Sequence, residues 1–116
     1  MPKKILIIED DPSILEDLDF LLNMEGFQTE VAVNGQEGLD KLHSMETPCL
    51  ILLDLMMPVM NGWQFLEQRS KLDKNKQSRV LIMSAMADQA MDLVVEGHIK
   101  KPFDIGNLLQ FVKEHC

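Results

Sequence analysis

Apolar residues in this chain fall in short unbroken runs, separated by stretches with helical spacing. KILIIE (Lys4–Glu9) is apolar without alternation, which predicts a strand covered on both faces. The same pattern predicts strands at Phe27–Val33, Cys49–Leu53 and Arg79–Met83, with a weaker fifth at His98–Lys101. Between them the period changes. Asp11 fits a helix cap and Pro12 the first helical position, followed by Ile14, Leu15, Leu18, Leu21 and Leu22 on one stripe that Gly26 ends. Asn34-Gly35 closes the second strand, and a helix with Leu39 and Leu42 inward runs to about Met45. Gly62–Leu72 reads as a helix carrying Trp63, Phe65, Leu66 and Arg69, and Asp73–Ser78 as a polar loop. A short helix is expected over Gln89–Val95, and a last one over Asp104–His115 with Leu108, Leu109 and Val112 inward.

Strand and helix thus alternate five times. That order predicts an α/β fold with a parallel sheet and helices on both faces, and right-handed crossovers leave few topologies. The expected architecture is a flavodoxin-like (βα)5 doubly wound sheet, strand order 2-1-3-4-5, with a shortened fourth helix. In such sheets ligands bind outside the carboxyl ends of the strands, where the order reverses. The residues expected there are Asp10 and Asp11 after the first strand, Asp54 after the third, Ser84 after the fourth and Lys101 at the end of the fifth, before Pro102.

Three carboxylates, a hydroxyl and an ammonium would then share one shallow pocket. The acids repel and raise one another's pKa unless a cation joins them. Oxygen ligands in small number suit Mg2+, which keeps several waters and works with phosphates. One carboxylate can then act as nucleophile and form an aspartyl phosphate. Lys101 and Mg2+ would neutralise the transferred group, and the Ser84 hydroxyl would donate to one of its oxygens. Asp54, single and central, is the best nucleophile.

Composition narrows the partners. The chain has 116 residues, room for one domain, and a net charge of −8. The charge argues against direct nucleic-acid contact, which needs a basic surface, and against an anionic membrane surface. No segment reads as a signal peptide or a bilayer span. The two cysteines, Cys49 and Cys116, suggest no disulfide framework, so a reduced, cytoplasmic setting is expected.

The sequence resembles the receiver domains of two-component response regulators. The matching stretches are IIEDDP (7–12), LLDLMMPVMNG (52–62), IMSA (82–85) and KPF (101–103), in the family's order and spanning the chain. The resemblance implies one receiver domain over residues 1–116 that is a phosphoacceptor signalling domain and not an enzyme acting on a metabolite. It implies Asp54 as phosphoacceptor, and Asp10, Asp11, Asp54 and the Met56 backbone carbonyl as Mg2+ ligands. Ser84 becomes the switch hydroxyl and Lys101 the phosphate-pairing lysine. His98 falls where the family usually has an aromatic that swings inward, and Ala85 is small enough to leave the phosphoryl group accessible. The implied partners are a sensor histidine kinase or phosphotransfer protein and a downstream protein target. Only 17 positions separate Ser84 from Lys101, fewer than the family usually has, so a monomer or weak dimer is expected.

Plainer readings exist for single residues. Asp11 before Pro12 fits a cap, Glu9 a strand-end surface residue, and Met56 and Met57 packing. His43 and His115 read as surface residues, Lys100 as pointing away from Lys101, and Gly62 as a turn. Among other classes, a degenerate receiver acting only as an interaction module would not need the full acid set with Lys101. A flavodoxin-like cofactor binder would want a phosphate loop that DDPSI does not provide. A dehalogenase-type phosphatase would put a second Asp at position 56, where Met stands.

Overall fold

The computed structural model describes residues 3–72, 78–85 and 95–116. Its first strand, β1 (Lys4–Ile8), pairs in parallel with β2 (Gln28–Ala32) on one side and β3 (Leu50–Asp54) on the other. β4 (Arg79–Ser84) and β5 (Gly97–Lys100) extend the sheet, giving the order β2-β1-β3-β4-β5. The expected fold class and strand order are those observed. The expected loop over 73–78 and short fourth helix over 89–95 fall, but for their last residues, outside the described part.

Side-chain alternation sorts the sheet into two layers. Leu6, Ile8, Ile51, Leu53, Val80 and Ile82 face Leu39 and Leu42 of helix α2 (Gly35–Ser44) and Phe65 of α3 (Gly62–Arg69). Ile5, Ile7, Leu50, Leu52, Leu81 and Met83 face Leu18 and Leu22 of α1 (Pro12–Met24) and Leu108 and Val112 of α4 (Ile105–His115). Ile5–Ile8 and Leu50–Leu53 are completely buried, which is why these strands show no polar alternation in sequence. Each such aliphatic side chain contributes about 2 kcal/mol by leaving water.

The helix ends explain the boundaries. Asp11 caps α1, its carboxylate accepting the Ser13 N–H at 2.9 Å. At the other end Gly26, at φ 92°, lets its own N–H reach Asn23 O at 3.1 Å and the Phe27 N–H reach Leu22 O at 3.0 Å. Asn34 starts α2, accepting the Glu37 N–H at 2.8 Å, so Asn34-Gly35 opens a helix and does not merely close a strand. Asn61 and Gln64 form a reciprocal capping box on α3, which ends at Arg69, short of the expected Leu72.

The expectation that the two cysteines stay unpaired is overturned. Cys49 and Cys116 are paired as a disulfide, with Cα atoms 5.1 Å apart across a sequence separation of 67. The topology brings them together: Cys49 leads into β3, and Cys116 caps the end of α4, which packs on the same face.

Candidate functional site

Three acids meet on the rim where β1 and β3 end. Asp54, the last residue of β3, is 5% exposed, and Glu9, one position past β1, is completely buried. With exposed Asp10 they offer three carboxylate oxygens that lie within 4.8 Å of one another. Register accounts for this. Ile8 pairs with Leu53, so the next positions, Glu9 and Asp54, lie side by side.

Lys101 completes the cluster. It follows β5 directly, and its backbone N–H donates to Ser84 O at 3.0 Å, anchoring it to the end of β4. Its amine pairs with Glu9 Oε1 and stands 3.5 Å from Asp54 Oδ2. Glu9 Oε2 accepts the Asp11 N–H at 3.1 Å, so both oxygens of this buried carboxylate are engaged. Without such partners its burial would cost several kcal/mol.

Burial pushes the Asp54 carboxyl up from 3.8 to about 7, and the charge of Glu9 adds to the rise, while Lys101 only partly offsets it. The site therefore holds more negative charge than one lysine can balance. Its donor set, carboxylate oxygens only, fits a small hard cation such as Mg2+.

The sequence-predicted residues divide as follows. Asp10, Asp54 and Lys101 come together. Asp11 does not join them; its side chain is spent on the α1 cap, and it is exposed. Glu9, expected on the surface, takes the place expected of Asp11. Strand alternation carries the signal: Ile5 and Ile7 share a face, and Glu9 continues it. Ser84 ends β4 and is 1% exposed. His98 lies within β5, opposite Ile82, half-buried and three positions before Lys101. Met56 lies two positions past Asp54, with its side chain about half exposed.

The loop after Asp54 is tight. A Cβ at Gly62 would stand 2.6 Å from Asp54 O, so glycine is required for close approach rather than for a turn angle. Val59 takes φ 67° in this loop, a left-handed conformation that costs a β-branched residue about 1 kcal/mol.

Residues 5–113 match the family model described as the response regulator receiver domain. The chain belongs to this family. It is 38% identical over 120 residues to the sporulation initiation phosphotransferase F of Bacillus subtilis, covering 99% of this chain and 94% of that protein. It is 33% identical over 115 residues to the response regulator ArlR of Staphylococcus saprophyticus, covering 95% of this chain and 50% of ArlR. Among solved structures it resembles the response regulator TrrA of Thermotoga maritima in complex with Mg2+-BeF, with a TM-score of 0.85 and 30% identity, covering 98% of this chain and 99% of that one. Receiver domains of two-component systems are phosphorylated on an aspartate, generally bind Mg2+, and interact with histidine kinases or phosphotransfer proteins. Among the described residues of this receiver domain, no helix is long and apolar enough to cross a membrane.

Proposed function

We propose that this receiver domain accepts a phosphoryl group on Asp54 from the phosphohistidine of a sensor histidine kinase or phosphotransfer protein. The observation that carries this reading is the Lys101 amine, 3.5 Å from Asp54 Oδ2 and paired with Glu9 on the same rim. An Asp54 oxygen attacks phosphorus, the P–N bond breaks, and the imidazole leaves. Lys101 then exchanges part of its contact with Glu9 for the new phosphoryl oxygens. Glu9, Asp10, Asp54 and the Met56 carbonyl would hold Mg2+, with Glu9 replacing Asp11 in the set read from sequence. Bound there, the ion neutralises charge on the transferred group. Ser84 turns towards the phosphoryl group, and His98 responds in β5, shifting a two-state region at β4 and β5.

The domain would also catalyse its own slow dephosphorylation, water attacking phosphorus to return Asp54 and free phosphate. Its output is a contact with a downstream protein target, made by a stand-alone cytoplasmic monomer or weak dimer. A phosphorylation-independent interaction module is disfavoured because it would have no need for Lys101 among three acids. Acetyl phosphate and Mg2+ should retard wild type on a phosphate-affinity gel and leave Asp54→Asn unshifted. Equal shifts in both, or none in either, would defeat the assignment.

A further inference from the structure

We propose that Cys49 and Cys116 form a reversible thiol–disulfide site that sets how firmly the end of α4 is held to the sheet. It lies at the amino end of β3, across the sheet from Asp54, and is independent of the phosphoacceptor reading. The Cα separation of 5.1 Å is within the range that a disulfide spans without backbone movement. The other contacts around the pair suit both oxidation states. Cys49 Sγ also lies 3.2 Å from Lys4 O, an acceptor ready for its thiol once the bond is reduced. The Cys49 N–H is held by Lys4 O at 2.9 Å, so its backbone stays in register either way. At the other partner, Lys3 Nζ donates to Cys116 O, and Arg79 Nη1 donates to His115 O at 2.9 Å. The His115 ring stacks on Phe111, centroids 3.9 Å apart. These contacts keep the two sulfurs adjacent when the bond is open.

Both cysteines are only partly buried, so a small reagent can reach them. The oxidant class is a low-molecular-weight disulfide, RSSR. One cysteine thiolate attacks a sulfur of RSSR, forming a mixed disulfide and releasing RS−, which takes up a proton. The second thiolate attacks the protein sulfur of that mixed disulfide, closes the internal bond and releases a second RSH. Two electrons pass from the cysteines to RSSR, and a dithiol reductant reverses the sequence. Closure ties two points separated by 67 residues, a large restriction of the unfolded chain.

The chain is equilibrated with reduced and oxidised glutathione at a series of ratios, acid-quenched, alkylated and weighed intact. We expect a single transition from a doubly alkylated form to an unalkylated one whose mass is two hydrogens below that of the reduced, unmodified chain. The oxidised form should melt about 10 °C higher than the reduced form. It should also show slower amide exchange over residues 111–115. Cys116→Ser and Cys49→Ser should each abolish the dependence of melting on the buffer; the two are used together in case one folds poorly. Double alkylation at every ratio, glutathione adducts that never resolve internally, or a serine variant whose melting still follows the buffer would overturn the proposal.

Discussion

The carboxyl and amino ends of the sheet are built to opposite ends. At the carboxyl rim, Glu9, Asp10 and Asp54 crowd three carboxylates around one lysine, and the Asp54 carboxyl is displaced to about 7. At the amino rim three ties join the elements: Cys49 N–H on Lys4 O, Arg79 on His115 O, and Cys49 bonded to Cys116. One rim gives up stability for concentrated negative charge, which the proposed cation and phosphoryl group would use. The other recovers it with backbone and covalent ties that take no part in the acid cluster.

Three perturbations test this contrast, in order of expected effect. Lys101→Ala should slow phosphorylation by acetyl phosphate about 100-fold, followed by gel shift against time. Cys49→Ser, at the other rim, should leave that rate unchanged within about twofold. Similar losses from both would erase the distinction.

Next comes stability against pH. Between its ordinary value of 3.8 and its folded value of about 7, Asp54 binds a proton in the folded state that it has lost in the unfolded one. Stability therefore falls as pH rises through this window, and the deficit is complete above it. Asp54→Asn removes the deficit, so in the absence of Mg2+ the variant should be more stable than wild type by about 2 kcal/mol near pH 8. The gap should close on acidification towards the lower value, as measured by urea unfolding. A wild type that outlasts the variant at high pH would show that the acids are not in conflict.

The smallest effect separates neighbouring acids. Glu9→Gln should weaken Mg2+ binding about tenfold, or ~1.4 kcal/mol, by calorimetric titration. Asp11→Asn should leave it unchanged, since Asn still caps α1. The reverse result would restore the assignment first read from sequence.

Much of this was legible in the chain. Buried parallel strands announce themselves as unbroken apolar runs, and Asp54 stands out because it ends one, whereas Lys101 is marked by Pro102 after the weaker fifth strand. Glu9-Asp10-Asp11 was harder, because three adjacent acids leave open which pair faces the site. The cap geometry of Asp11 before Pro12 was visible, and so was the alternation through Ile5 and Ile7, but only the register with β3 joins the two. Asn34 reads as a turn residue in the sequence because the same side chain serves both turns and helix caps. The cysteine pair had no local signature at all. Its partners meet only once α4 has packed on the sheet.

The pairing of Ile8 with Leu53 has a further consequence. Because β1 and β3 are oily on both sides, a slip of one position would still bury oil against oil, and packing alone would hardly object. Yet the same slip would turn Asp54 towards the opposite layer and part it from Glu9. Counting is therefore enforced at the margins, by the Cys49 tie to Lys4 below and the Gly62 N–H on Leu55 O at 2.9 Å above. The chemistry of the upper rim depends on bookmarks placed at both ends of a run that carries no page numbers of its own.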